Sequence, residues 1–250
     1  MLRRLYRAAV VMLVGAGGYA FSAQAADPAA MQYVAARFPP YTLVENNQAA
    51  GPTALLLRAL AAKVGHPASL TIHPLARALA MASNEANVLI AMIARTPERE
   101  TQFRWVCPVQ DYDVAIFRLQ HRTDVVANSI PDLARFRVMG VNRDIKTSYL
   151  QRQGLTLELA ADEDEAMRLL LHGRIDAMPS HPPSIRTRLR ELGERSDAVT
   201  AILPLPELTT RLYLAFGMKT SPETAALYTA ACEELLRSGA VAHLLQPAIN

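Results

Sequence analysis

The sequence predicts an α/β fold of two lobes joined by two hinge strands. Apolar runs of strand length alternate with amphipathic runs of helical period, which is the pattern of an α/β lobe. The alternation breaks near residue 120 and then resumes, giving two such units connected by two extended crossings. Half of the residues are hydrophobic (51%), enough to bury a sizeable core as one large domain or two small lobes.

The N-terminus stands apart from this pattern. Arg3, Arg4 and Arg7 form a basic head, residues 8–21 are apolar, and Ala23-Gln24-Ala25 puts small residues where a signal peptidase inspects them. A membrane anchor is the rival reading. About 14 apolar residues, with Gly15, Gly17 and Gly18 among them, fall short of the roughly 20 that a spanning helix needs. We therefore expect residues 1–25 to be a signal peptide cleaved after Ala25, and the mature protein to reside in the periplasm. No cysteine near that site calls for a lipid anchor. Losing the three arginines lowers the 26 basic side chains to the number of acidic ones, 23, so the whole-chain charge of +3 becomes zero. Bases and acids are interspersed, and no nucleic acid is expected as a partner.

Cys107 and Cys232 are the two cysteines. Export permits a bridge between them; two buried free thiols are the other reading. No Cys/His cluster has metal-ligand spacing and no Gly-rich phosphate loop is present, so neither metal nor cofactor is expected.

In order, residues 31–34 end a first strand, which Phe38-Pro39-Pro40-Tyr41 interrupts by removing two backbone donors. Asn46, Asn47 and Gly51 make a turn. Residues 52–64 carry apolar positions three and four apart, predicting a helix with Pro52 at its start and Gly65 at its end. A strand at 69–73 passes through Pro74 into a second helix, and 88–93 is a continuous apolar strand of the buried parallel type. The polar run Arg95-Thr96-Pro97-Glu98-Arg99-Glu100 follows, then Phe103 and Trp105, read as core, and a strand at 114–119 leaves the lobe.

The second unit opens with a short helix at Ile130-Pro131-Asp132-Leu133. Strands at 136–141, 155–159 and 175–178 alternate with helices at 145–153, 163–171 and 185–192. The acidic residues 162–165 sit at a helix start, where the macrodipole favours them. A strand at 201–205 closes the unit, a strand at 212–217 returns to the first, and the last helix covers 222–236. On this reading residues 26–120 are lobe 1, 121–208 are lobe 2, and 209–250 return to lobe 1.

The pieces FPPYTLVENNQAAGPTALLLRAL, PLARALAM, NVLIAMIARTPERETQFRWV, FRVMGVNRDIKTSYL and HGRIDAM span nearly the whole mature chain. In this order they resemble the family 3 extracellular solute-binding proteins, whose best-known members are polar amino-acid binders of ABC importers. Its most specific element is Arg-Thr-Pro-Glu-Arg-Glu after an apolar strand, between an aromatic-Pro-Pro-aromatic and a Gly-Arg-Ile-Asp-Ala. The resemblance implies a type II periplasmic binding protein fold with the ligand in the interlobe cleft. It implies a binder and not an enzyme, whose partners are a small polar solute and an ABC importer permease in the inner membrane. We expect a monomer.

Roles follow residue by residue. Phe38 matches the aromatic that covers the ligand; a plain core aromatic is the other reading. Arg99 matches the arginine that grips a ligand carboxylate, for which a planar guanidinium fork is suited; its alternative is a solvated arginine paired with Glu98 or Glu100. Thr96 and the backbone around Ala94 would lend donors to the same carboxylate. Arg77 resembles an arginine of one branch of the family, and a surface helix explains it equally well. Residues 144–147, including Lys146 and Thr147, fall where the family places backbone donors at a helix start. Asp144 stands where glycine is usual, and its carboxylate is expected to cap the helix rather than meet the ligand.

One departure bears on the ligand. Five positions after Asp176, where amino-acid binders commonly carry an acid for the ligand ammonium, stands His181. Ala35, Ala36 and Arg37, before Phe38, supply no acid either. An unpartnered buried ammonium costs several kcal/mol, so a small carboxylate or another polar solute is expected rather than a standard α-amino acid. His181 is either a ligand contact or a loop residue between prolines. Two rival functions remain: a sensing or accessory clamp in signalling, and a periplasmic dehydratase-like enzyme using His181, Glu45 or Asp144.

Overall fold

The computed structural model describes residues 30–67 and 69–246, so the expected signal peptide lies outside the described residues. In chain order the first lobe is built from β1 (Gln32–Ala35), β2 (Leu43–Glu45), β3 (Gln48–Ala50), α1 (Pro52–Val64), β4 (Leu70–Ile72), α2 (Leu75–Asn84), β5 (Val88–Ala94) and β6 (Phe103–Tyr112). The second carries β7 (Ala115–Leu119), β8 (Met139–Val141), α3 (Ile145–Arg152), β9 (Glu158–Ala160), α4 (Glu163–Leu171), β10 (Met178–Ser180), α5 (Pro182–Glu191) and β11 (Val199–Pro204). The chain then returns through β12 (Thr210–Gly217), α6 (Pro222–Arg237) and α7 (Ala240–Leu244).

The first sheet has the order β4-β1-β5-β12-β6. β1 runs parallel to β4 and β5, while β12 is antiparallel to β5 and β6. The continuous apolar run is therefore the central strand, and all seven of its residues are buried. α1 begins at a proline and ends at Gly65, whose φ of 72° is the left-handed cap that favours glycine. Its Leu56, Leu57 and Leu60 pack into the core beneath the sheet.

Two features of this lobe exceed the sequence reading. Asn46 and Asn47 both take positive φ, and the turn they make closes a β2–β3 hairpin. The segment with Phe103 and Trp105 is a ten-residue strand, β6. Its Pro108 is tolerated because β6 is the sheet edge.

Cys107 on β6 and Cys232 on α6 are joined in a disulfide with Cα atoms 6.3 Å apart, which settles the choice left open above. The bond fastens α6 to the edge strand across 125 residues of chain. Replacing both cysteines by serine is expected to lower the unfolding free energy by about 2–5 kcal/mol. Urea midpoints of the two proteins check this, and equal midpoints would show that α6 packing alone suffices.

The second lobe has an antiparallel sheet, β10-β7-β11, and a parallel pair, β8-β9, which meets it through the Val138–Ala177 bridge. β7, placed by the sequence at the end of the first lobe, pairs with β10 and β11. The chain crosses between lobes at residues 112–115 and 204–210, and the Leu205 amide donates to Val114 O at 2.9 Å, tying the crossings together. Among the described residues, no helix is long and apolar enough to cross a membrane.

Candidate functional site

A cavity of about 280 Å³ opens between the lobes. One wall is formed by the segments that follow β1, β4 and β5, the other by those that follow β8 and β9. All five are parallel strands, and their carboxyl ends face this space, where ligands of open α/β sheets sit. Ile72, Leu75, Met92, Ile145 and Leu212 make much of the lining apolar. Met92 has φ 61° where the β5–β12 register shifts, a bulge beside the cavity of the kind that re-aims a side chain.

Arg99 reaches the cavity from a single 3-10 turn, Pro97–Arg99, directly after β5. It is 9% exposed, and its Nη1 donates to Ala94 O at 3.2 Å and its Nη2 to Arg143 O at 3.1 Å. Its neighbours in sequence are engaged elsewhere: Glu98 pairs with Arg152 at 3.2 Å and Glu100 with Arg95. The solvated, Glu-paired arginine of the sequence reading is thus not what forms. No carboxylate among the described residues is in ion-pair contact with Arg99. Burial lowers the pKa of the guanidinium, which Asp144 only partly offsets.

Lys146 enters the site by its side chain. The amide expected as a ligand donor is instead capped by Asp144, whose Oδ1 accepts from it at 2.9 Å. The ammonium, 3% exposed, contacts Asp144 Oδ2 at 2.6 Å, Glu163 Oε1 at 2.7 Å and Tyr112 Oη at 3.0 Å. Burial alone would lower its pKa, but the two carboxylates outweigh that and hold it well above its ordinary range. Burial likewise pushes Glu163 up, and Lys146 and Arg188 more than reverse it, bringing the carboxyl down to about 2.

A depressed carboxylate contributes stability above its unfolded pKa, and that stability is lost as pH falls through the folded value. For Glu163 the window runs from about pH 4.5 down to about 2. The stability gap between wild type and Glu163→Gln is expected to shrink across that window. Unfolding titrations at stepped pH check this; a constant gap would mean that the carboxylate does not titrate with this network.

The remaining expected site residues divide. Phe38 lines the cavity, half-buried, with its ring stacked on Tyr41 at 5.6 Å and on His181 at 5.7 Å. Ala94 also lines it. His181 does not: it is 2% exposed and stands behind Phe38, its Nδ1 2.9 Å from Asp113 O and its ring 5.2 Å from Tyr112. Burial lowers its pKa against the pull of Asp113, whose carboxylate lies 3.0 Å from Nδ1, and the ring braces the aromatic wall. Thr147 is turned away, donating to Val141 O at 2.8 Å. A Cβ on Gly140 would lie 2.2 Å from its Oγ1, so α3 is laid directly on β8 here. Thr96 lines a separate groove on the other side of Arg99, and Arg77 is exposed on α2 outside the lining.

Sequence reasoning missed Tyr112, Arg37 and the acids. Glu163 and Asp164 project from the start of α4 into the cavity lining, so carboxylates do reach the site although position 181 holds none. Their signal was the acidic run at a helix start, beyond the carboxyl end of a parallel strand. Each is already neutralised: Asp164 by Arg37 at 2.6 Å and Arg188 at 2.8 Å, Glu163 by Lys146 and by Arg188 at 3.0 Å. Arg37 also pairs with Glu191 on α5, and the Ser184 hydroxyl donates to Pro39 O at 2.5 Å. These contacts join segments of the two lobes, so the clamp is closed.

The profile of the bacterial extracellular solute-binding proteins, family 3, matches residues 32–248. The chain belongs to that family. Solved structures of the same fold include a histidine kinase sensor domain with similarity to periplasmic binding proteins, at 20% identity and a TM-score of 0.76, covering 86% of this chain and 94% of that one. An ancestral arginine-binding protein bound to arginine aligns at 17% identity and TM-score 0.74, covering 86% and 96%. An amino acid ABC transporter substrate-binding protein from Streptococcus pneumoniae, bound to L-arginine, aligns at 18% and 0.71, covering 86% and 92%. No curated protein sequence matches. At these identities the likeness is one of fold, and the fold is the two-lobed type II periplasmic binding architecture. Family and fold of this solute-binding protein are those of binding proteins.

Proposed function

We propose that this family 3 protein is exported, processed after Ala25, and captures a small carboxylate-bearing solute between its lobes for an ABC importer permease. The observation that supports this most is Arg99. A buried guanidinium without a counter-charge is costly, and its planar fork suits a carboxylate, which it can meet through two parallel hydrogen bonds. Of the acids of the cavity, Asp144, Glu163 and Asp164 are already paired with Lys146, Arg37 and Arg188, and Asp162 caps α4. That balance, rather than the absence of an acid at His181, is what weighs against an amine on the ligand. Phe38 and Ala94 would flank the solute on the lobe-1 side.

Lobe-bridging contacts such as Arg37–Asp164 would close over the solute, whose differential affinity for the closed form drives closure. A thermal-shift screen of residues 26–250 against carboxylates, amino acids and polyols tests the reading, since a native-state ligand raises Tm by mass action. Carboxylates are expected to raise it. A response confined to uncharged polyols would overturn the carboxylate assignment.

A second reading is favoured by the likeness to a histidine kinase sensor domain: the same clamp would report its ligand to a separate kinase. Co-purification of a permease with the liganded protein supports import; capture of a sensor kinase alone supports sensing.

A further inference from the structure

Ligand class can be read more finely from the charges of the same cavity, on the reading that Arg99 seats a carboxylate. An ammonium has three protons and no acceptor. The Lys146 ammonium donates to Asp144 Oδ2 at 2.6 Å and to Tyr112 Oη at 3.0 Å and pairs with Glu163 Oε1 at 2.7 Å, so it is enclosed by the protein's own oxygens rather than turned to a ligand. The carboxylates are equally committed. Asp144 Oδ1 caps the Lys146 amide, and Glu163 Oε2 pairs with Arg188 at 3.0 Å and accepts from the Ser180 hydroxyl at 3.1 Å. Asp162 caps α4 through the Glu165 amide at 2.8 Å, at a helix start that favours its charge. Arg99 is the one cation of the lining with no ion-paired carboxylate among the described residues, and it faces a mostly apolar lining.

We propose that Lys146 is a built-in ammonium, occupying on the protein the acidic subsite that a ligand amine would otherwise need, so that the cavity selects monocarboxylates with an aliphatic or aromatic body and no amine. An amino acid entering with its carboxylate on Arg99 would bring a second cation beside Lys146, where both oxygens of Asp144 and of Glu163 are already engaged. Its des-amino counterpart brings none, and places hydrocarbon against Phe38, Met92 and Leu212.

Matched pairs test this by calorimetric titration of the wild-type protein: phenylalanine against hydrocinnamate, and leucine against isocaproate. The des-amino member is expected to bind at least tenfold more tightly in any pair that binds. Equal or tighter binding of the amino acid, lost in Arg99→Ala, would overturn the role of Lys146 and leave the carboxylate seat standing. Failure of every carboxylate to bind would overturn both. Lys146→Ala supplies a second readout, because it empties the subsite between Asp144 and Glu163. Methylammonium is expected to raise the Tm of this variant by several degrees and leave wild type unmoved, and the pair preference is expected to shift towards the amino acid. Methylammonium acting alike on both proteins would contradict the proposal; should the variant not fold, the wild-type pairs decide it.

Discussion

Arg99→Ala is expected to weaken binding of a carboxylate ligand by about 3 kcal/mol, roughly two orders of magnitude in Kd. In the free protein the guanidinium is nine-tenths buried and holds only the carbonyls of Ala94 and Arg143. It has no ion-paired carboxylate to lose, so the variant gives up little folding energy, and its melting temperature is expected to stay within a few degrees of wild type. The loss thus falls on binding rather than on the fold, and the ratio of the two separates a ligand seat from a structural arginine. Arg99→Lys is expected to fall between, because a point charge replaces the fork. Titration of all three proteins with one carboxylate checks the order. Equal affinities would remove Arg99 from the site.

The second large effect is on stability. Lys146→Met leaves Asp144 and Glu163 buried side by side without their shared cation, and breaking a buried ionic network in this way costs about 3–5 kcal/mol. Lys63 provides the contrast: it pairs with Glu234 at 2.5 Å on the surface, and losing such an exposed pair is expected to cost less than about 1 kcal/mol. Urea unfolding of Lys146→Met and Lys63→Met measures the difference. If the first variant also loses less than about 1 kcal/mol, the network is effectively solvated and its part in ligand choice fails with it. Adding Asp144→Asn and Glu163→Gln to Lys146→Met is expected to recover much of the loss, since the stranded charges go too.

The elements that the sequence made legible were those with local punctuation. α1 lies between Pro52 and Gly65, and β5 is an unbroken apolar run, so period and caps define both. β6 was harder to see because Pro108 and Asp111 interrupt its pattern, and only its edge position in the sheet permits them. The site divides the same way. Arg99 was visible through the family resemblance of the Arg-Thr-Pro-Glu-Arg-Glu segment that carries it. Lys146 was visible as a position but not in its chemistry: a backbone donor was expected, and the carboxylate of Asp144 takes that amide and leaves the ammonium as the working group. His181 turns towards Asp113 and the back of Phe38, a choice made by tertiary packing that spacing does not encode. The acids of α4 read as helix-start residues, which they are; that Glu163 also faces Lys146 follows from the fold of the second lobe, and that Asp164 faces Arg37 from how the lobes close.

The most direct test of the central claim is a crystal structure of residues 26–250 with a carboxylate that raises the melting temperature. The account predicts both carboxylate oxygens within hydrogen-bond distance of the Arg99 guanidinium, the ligand body against Phe38, and Lys146 still held by Asp144 and Glu163. A ligand bound outside this cavity, or seated in it without contact to Arg99, would contradict it.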